Sequence, residues 1–549
     1  MLPVTKNLYG ALNHLRNEHT ERDLWVDAIC INQDNIKERN YQVTLMKNIF
    51  QKSRNTVVWL GEESANSEGA IQLVKELARI SLKTTTYSRF YRVWNREVRN
   101  LPPLYDPAWR AFEDLLQRPW FHRAWIIQEV SVARDVTFVT GDSSLHWDEL
   151  FRAIDYAIDL GTLIALGGSA AWQALNLYGS RSRFQQSRLP SLLDTLVRNR
   201  SFHATDPRDK VFGLLSLADA KDVQTLGVSP SYQISVEELY QKLAVSFLKK
   251  GEIRVLGSSG LGDHRADPKV PSWVPDWSIS TPTIPLVSNE AFAISAETLN
   301  PSPVFYASGD SSLSFDINES GHVLGMEGFL VDEVAEIGAV ARTRYFPKIS
   351  HMYQLFAQGM DVLNELKNWE GIAQIGSKSR YVTGEKRFNA YWQTLCAGHL
   401  PLGFKSAIRD PRWKYYLVSR SMRPIVRFLV HFSPKTEKTT ALHCFFYALF
   451  QVFWRITGLT PTKFQRIGFP PESRLSNHRR MIRTTKGYIG LMPQCTQVGD
   501  CIGIFKGVKM PLVVRKDGSH YVIIGESYVH GMMKGEVWNE KEVHKFWFR

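Results

Sequence analysis

The sequence predicts an α/β domain with a doubly wound parallel sheet at its N-terminal end, then a mainly helical region and a small β-rich domain at the C-terminal end. Three observations lead to this prediction. The segment from Leu24 to Gly61 reads as strand, polar loop, amphipathic helix and strand. Residues 149–217 show helical spacing of apolar side chains. The tail from Arg479 to Val537 has short alternating runs separated by glycine-containing turns.

The N-terminal elements follow from apolar patterning. The run Leu24–Ile29 is typical of a strand buried on both faces of a parallel sheet. Polar residues follow it, and Asn35 with Glu38 three residues on forms a capping-box pattern that predicts a helix start. A second strand is predicted at Thr56–Leu60. Together they form a βαβ unit, whose polar loop lies where open α/β sheets bind ligands.

The rest of the 549-residue chain divides by composition and periodicity. Helices are expected at Ser67–Ile80, Trp109–Leu116 and 350–396, a strand at Val136–Thr140, and β structure across 279–345. The aromatic, Pro-rich Pro271–Ser278 is expected to be a packed loop. We predict five segments: an α/β domain at 1–148, a helical extension at 149–278, a mixed α/β region at 279–400, a basic and apolar insertion at 401–480, and a β-rich domain at 481–549.

Two blocks of the sequence resemble the fungal HET (heterokaryon incompatibility) domain. WVDAICINQ from Trp25, followed by ER (Glu38-Arg39), QV, M and then VVWLG, is similar to the core motif of that family. RPWFHRAWIIQEV at Arg118–Val130 is similar to its second block. ATDPRDKVFGLLSL at Ala204–Leu217 also resembles a HET stretch, and we interpret it as a structural joint with an ion pair. HET domains usually open with a strand that is absent here, so the resemblance implies a domain truncated at its start.

Glu129 is the candidate catalytic residue. The HET domain is similar in layout to the Toll/interleukin-1 receptor (TIR) domain, whose enzymatic members use the Glu of a W-x-x-x-E helix to cleave NAD⁺. Trp125 and Glu129 fall on that pattern and share a helix face. The resemblance implies a TIR-like sheet and NAD⁺ as substrate. A carboxylate on this apolar helix is either paired, with Arg123 or Arg118, or lies in a cleft with a raised pKa; the alternative role is a structural hydrogen-bond acceptor.

Five further residues are candidates for binding the nucleotide. Trp25 and Trp125 could stack on a nicotinamide or adenine ring. Asp27, Asn32 and Gln33 could line a crevice at the end of the first strand. The alternative interpretation gives Asp27 hydrogen bonds to the backbone or to an arginine, and gives the polar cluster ordinary turn chemistry. No metal-ligating spacing is present.

The positive charge is concentrated in one segment. Residues 401–480 hold 15 Lys and Arg against 3 Asp and Glu, which is +12 of the chain's net +13. The apolar run Ala441–Trp454 in this segment is short of the roughly 20 residues that span a bilayer. The segment predicts either a basic amphipathic element on an anionic membrane surface or a solvated insertion whose apolar run packs on the body. No zinc, helix-turn-helix or RNP-like motif supports nucleic acid as a partner.

The overall expectation is an intracellular signalling protein. Five cysteines, odd in number and without metal-like spacing, predict reduced and mostly buried thiols, and the start of the chain has no signal-peptide pattern. We therefore expect a cytoplasmic protein, with peripheral membrane contact through 401–480 as an addition. The HET resemblance implies non-self recognition and programmed cell death, with other HET-like or incompatibility proteins as partners. Two classes stay open: an effector that cleaves NAD⁺, and a non-catalytic interaction or membrane-associated module.

Overall fold

The computed structural model describes most of the chain as two compact units. The first unit is formed by the described residues up to Ser235, and the second by those from Val236 onwards. The described residues are 4–17, 19–64, 67–82, 101–102, 106–159, 169–260, 270–279, 285–286, 305–341, 352–398, 424 and 477–549.

The sheet of the first unit has three strands in the order β1-β2-β3. They are β1 (Thr56–Trp59), β2 (Val136–Thr140) and β3 (Ser143–His146). β1 and β2 are parallel, as expected of a crossover connection, while β2 and β3 form an antiparallel hairpin whose turn holds Gly141 at φ +52°. The predicted strands β1 and β2 are confirmed. This small sheet does not confirm the doubly wound, TIR-like parallel sheet.

Helices surround this sheet, and most of them begin where the sequence predicts. The Asn35 side chain caps its helix by accepting the backbone N–H groups of Lys37 (3.1 Å) and Glu38 (3.2 Å). Seven helices come first: α1 (Lys6–Leu15), α2 (Asp27–Cys30), α3 (Ile36–Lys52), α4 (Ser67–Leu82), α5 (Pro107–Leu116), α6 (Trp125–Val132) and α7 (Trp147–Asp159). The unit then continues through Ser169–Gln185, Leu192–Arg198, Asp209–Phe212 and Ala220–Leu226.

The predicted first strand, Leu24–Ile29, is wrong. Its C-terminal half belongs to the short helix α2, and Leu24 and Ile29 are 40% and 41% exposed. A strand buried on both faces needs neighbours to satisfy its backbone, and within the described residues β1 pairs only with β2. Asp27 adds to this by accepting the N–H of Ala28 (2.8 Å) with its own carboxylate, which favours a turn over an extended chain.

Arg118 joins the ends of β1 and β2 to the start of α4. Its guanidinium donates to the Leu60 carbonyl (2.7 Å) and the Thr140 hydroxyl (2.8 Å). It also donates to the Glu62 carbonyl (3.1 Å) and the Ser67 hydroxyl (3.2 Å). This part of the second sequence block is therefore structural.

The second unit is built around a closed ring of strands. Its strands are β4 (Phe315–Ile317), β5 (Leu324–Ala341), β6 (Arg479–Thr484), β7 (Ile489–Pro493), β8 (Cys501–Phe505), β9 (Leu512–Asp517), β10 (His520–Glu526), β11 (Tyr528–Val529) and β12 (His544–Phe548). β5, β12, β10, β9 and β8 pair in sequence, and β8 pairs back onto β5. β6, β7 and β11 extend from the other half of β5. The predicted β structure of the tail is confirmed, and β5 adds a strand from the 279–345 region.

Helices and a packed loop complete the second unit. Helices are present within the predicted 350–396 at Met352–Ile372 and Arg387–Leu395, and a further helix at Val236–Lys249 lies within the predicted helical extension. The loop containing Trp273 and Trp277 is packed as predicted, with both indoles buried. A buried Arg479–Glu526 ion pair (2.8 Å) lies in the same unit.

The remaining sequence predictions concern the basic insertion, the cysteines and membrane-spanning helices. Nearly all of the insertion at 401–480 lies outside the described residues, including Ala441–Trp454 and Cys444. Of the cysteines that are described, only Cys396 is buried, so the expectation of mostly buried thiols is wrong for this part of the chain. Within the described ranges, no helix has the length and apolar character to cross a bilayer. The five-segment division stays a prediction.

Candidate functional site

Glu129 lies on α6 in an environment that alters its ionisation. Its side chain is half-buried, and the apolar surroundings raise the pKa of its carboxyl from 4.5 to about 7. The positive charge of Arg123 lowers that pKa, and the negative charge of Asp27 raises it again. No hydrogen bond to the Glu129 carboxylate is formed by any described residue. Glu129 therefore changes charge near neutral pH, beside one cation and one anion.

Trp125, one turn before Glu129, contacts a different part of the unit. Burial raises the pKa of Asp209, and the hydroxyl of Tyr232 and the nearby indole of Trp125 oppose this rise. The six-membered ring of Trp125 lies so close to Gly213 that an added Cβ there would be 3.4 Å from Cε3. Trp125, the first residue of α6, thus lies close to the helix Asp209–Phe212 and to Gly213.

A network of ionisable groups surrounds Asp209. The Tyr232 hydroxyl donates to its Oδ1 (2.5 Å), and the Arg39 guanidinium lies 3.9 Å from its Oδ2 and 3.6 Å from the centre of the Tyr232 ring. Asp206 and Arg208 form the expected ion pair at 2.8 Å. Burial by itself raises the pKa of Asp206, but the Arg208 hydrogen bonds together lower it.

The polar loop after α2 contributes turn chemistry. Asn32 Oδ1 accepts the backbone N–H of Asp34 (3.2 Å), and its own N–H donates to Glu38 (3.0 Å). The Gln33 amide donates to the Asp27 carbonyl (3.4 Å), and both Asn32 and Gln33 are exposed. These bonds are the ones that the alternative interpretation predicts for this loop.

Of the six candidate residues, the structure links three by charge or hydrogen bond. Asp27 lies close enough to Glu129 to influence its ionisation, and Gln33 contacts Asp27. Trp25 instead packs its ring edge-on against Phe50, with 5.6 Å between the ring centres. The binding roles of all six remain predictions.

The sequence analysis did not predict the network formed near α6 by Arg39, Asp209 and Tyr232. Arg39 and Asp209 each belong to a stretch that carries the family resemblance. A contact between those two stretches could therefore have been predicted from the sequence. Tyr232 lies in no such stretch, and its hydrogen bond to Asp209 joins residues 23 positions apart. Local spacing gives no sign of that contact.

The three-stranded unit with its W-x-x-x-E helix and the closed strand ring define a protein of two dissimilar units. Residues 1–129 match the family described as heterokaryon incompatibility protein (HET), and residues 473–548 match the Het-6 beta-barrel domain. The chain is also 24% identical to heterokaryon incompatibility protein 6, OR allele, of Neurospora crassa, over 100% of this chain and 86% of that protein. No solved structure matches the chain.

The chain therefore carries a HET domain at residues 1–129 and a Het-6 β-barrel domain at residues 473–548, and it is similar along its whole length to a fungal incompatibility protein. The two family matches and the similarity along the whole chain support a function in heterokaryon incompatibility.

Proposed function

We propose that this protein acts in fungal non-self recognition and cell-death signalling, and that its N-terminal unit does so by cleaving NAD⁺ at Glu129. The observation that carries the proposal is the Glu129 carboxyl: its pKa is raised to about 7, and no described residue forms a hydrogen bond to it. A general base is most effective when its pKa is near the working pH. A carboxylate already held by hydrogen bonds would be poorly available to a substrate.

The chemistry uses the Glu129 carboxylate and the positive charge of Arg123 beside it. The C1′–N bond to nicotinamide breaks with its electron pair leaving on the nicotinamide nitrogen, and positive charge develops on the ribose. The ionised Glu129 stabilises that charge and then accepts a proton from the water that attacks C1′. The products are nicotinamide, ADP-ribose and a proton. The Arg123 guanidinium supplies a cation suited to the diphosphate of NAD⁺.

The other candidate residues have supporting roles in this proposal. Trp25 offers an aromatic surface for a ring of the dinucleotide, next to Phe50. Asp27 raises the pKa of Glu129 and, with Gln33, shapes the turn beside it. Asn32 holds the backbone of Asp34 in place, and the ring of Trp125 packs beside Gly213.

A second candidate function is a non-catalytic interaction module. Five large apolar or aromatic side chains between Tyr9 and Tyr41 are exposed, where they would suit binding to another incompatibility protein. Their exposed fractions are 61% for Tyr9, 40% for Leu24, 41% for Ile29, 47% for Ile36 and 63% for Tyr41. A further partner, an anionic membrane surface, is proposed from the charge of 401–480 alone.

The test is nicotinamide release from NAD⁺ by the purified full-length protein, across a pH series. The variant is Glu129→Gln, and the matched control is Glu21→Gln, which changes an exposed glutamate of the same unit. We expect release that rises with an apparent pKa near 7, persists in the control and disappears in Glu129→Gln. No release from folded protein at any pH would reject the enzymatic form. Growth arrest in a fungal host that survives Glu129→Gln would favour the interaction module.

A further inference from the structure

The N-terminal unit has an open cavity of about 930 Å³ to which Glu129 does not contribute. It lies at the C-terminal ends of α3 and of the helix Ser169–Gln185, beside the residues that end α6. Its walls include four cationic side chains and one carboxylate, together with Phe184 and Gln185 of the helix Ser169–Gln185. Cavities of this size are typical of small-molecule sites.

The walls carry a local excess of positive charge. Lys47, Lys52, Arg134 and Arg188 face one carboxylate, that of Asp219. Asp219 is already engaged, because it caps the following helix by accepting a backbone N–H at 3.0 Å. Within the part of the chain that the structure describes, none of the four cations has an ion-pair partner. Lys52, Arg134 and Arg188 are exposed and Lys47 is half-buried, so all four positive charges are accessible to an anionic ligand that enters the cavity.

Backbone carbonyls at the end of α6 would normally oppose an anion, because a helix C-terminus is electronegative. The buried Arg181 removes much of this opposition. Its guanidinium donates to the carbonyls of Val130 (2.5 Å), Ala133 (2.7 Å) and Arg134 (3.0 Å). It also places a further positive charge behind the cavity wall.

Gln185 and Phe184 of the cavity wall complete this arrangement. When the Gln185 amide is oriented so that its oxygen accepts from Arg181 Nε (3.2 Å) and Nη2 (3.0 Å), its NH₂ group remains as a donor. Lys47 Nζ lies 5.5 Å from the centre of the Phe184 ring, so its ammonium is held at the wall by a cation–π contact.

We propose that this cavity binds a small polyanion that carries two or more phosphate groups. Two arginines supply planar forks that match phosphate oxygens, and two lysines supply point charges. Such a group occurs either free in solution or as the headgroup of a phosphorylated lipid. The proposal does not depend on Glu129 or on NAD⁺ cleavage.

The experiment measures binding of three probes to the full-length protein by calorimetry and vesicle co-sedimentation. The probes are inorganic triphosphate, inositol hexakisphosphate, and phosphatidylcholine vesicles containing phosphatidylinositol 4,5-bisphosphate. The test variant is Arg134→Glu/Arg188→Glu. Loss of two charge-assisted contacts should weaken binding by about 100-fold. The matched control is Lys75→Glu/Lys249→Glu, which makes the same charge change at exposed lysines outside the cavity.

The outcomes distinguish a free polyphosphate from a phosphorylated lipid headgroup as the ligand. Soluble probes that bind the wild type and the control, but bind the test variant about 100-fold more weakly, support a free polyphosphate. Binding confined to the vesicles, and lost in the test variant, supports a lipid headgroup. Equal binding by test and control variants, or no binding by folded wild type, would overturn the proposal. If the glutamate variant does not fold, Arg134→Gln/Arg188→Gln against Lys75→Gln/Lys249→Gln makes the same comparison.

Discussion

Replacing Glu129 by glutamine should stabilise the N-terminal unit, and by an amount that depends on pH. The change keeps the shape of the side chain and removes its charge. The rise of the Glu129 pKa from 4.5 to about 7 corresponds to a penalty of about 3 kcal/mol for ionising it in the folded protein. Part of the side chain is exposed to solvent, so we expect about 2 kcal/mol in the free energy of unfolding.

The sign of the effect follows from proton binding. Below pH 4.5 Glu129 is protonated in both folded and unfolded chains, and the wild type and the variant should be equally stable. As pH rises from 4.5 to about 7, the unfolded chain loses its proton first, so the wild type loses stability. Above about pH 7 the wild type has lost all of this stability, and the variant should keep its full advantage in the free energy of unfolding.

Hydrogen exchange of the α6 amides measures this difference within the full-length protein. At about pH 8 the Glu129→Gln variant should exchange roughly 30-fold more slowly than the wild type after correction for intrinsic rates, and at about pH 4 the two should be equal. Glu21→Gln, an exposed change, should behave as the wild type at both pH values. An advantage of Glu129→Gln that is the same at both pH values would refute the assigned ionisation.

Three further variants test other contacts. Arg118→Ala removes four donated hydrogen bonds and should speed exchange of the β1 and β2 amides by about 100-fold, corresponding to about 3 kcal/mol. Glu526→Ala leaves the buried Arg479 guanidinium without its carboxylate, and urea unfolding of the second unit should show a loss of about 3–5 kcal/mol. Tyr232→Phe removes the hydroxyl that donates to Asp209 and should lower protection around it by about 1–2 kcal/mol.

Each of these variants has a matched control at an exposed position. They are Arg54→Ala for Arg118, Glu319→Ala for Glu526 and Tyr41→Phe for Tyr232. Surface changes of this kind should stay within about 0.5 kcal/mol of the wild type. A test variant that falls in the same range as its control would contradict the contact assigned to it.

The sequence predicted those elements whose signal is local. Val136–Thr140 alternates buried and half-buried residues, and Asn35 with Glu38 marks a helix start; both were found as expected. Leu24–Ile29 has equally strong apolar character, but a buried strand also needs a neighbouring strand, and apolar patterning does not encode one. Apolar character alone could not separate a buried strand from an exposed turn and short helix.

The same limit applies to the candidate site. Trp125 and Glu129 share one helix face by their spacing alone. The approach of Asp27 to Glu129 joins residues about 100 positions apart, and the contact of Trp125 with Asp209 joins residues more than 80 apart. Contacts over such separations depend on how the helices pack, which a single sequence does not specify.

The long strand β5 has a consequence for any attempt to divide the protein. The Het-6 barrel match begins at residue 473, whereas β5 spans Leu324–Ala341 and pairs with β6, β8 and β12. A fragment cut at the boundary of that match would leave three strand edges with unpaired N–H and C=O groups, which invites aggregation. Conversely, a protease site introduced within 401–476 would cut the chain between β5 and β6 without removing either strand. The two pieces should then co-purify, because the ring of strands holds its parts together by pairing and does not need an unbroken chain.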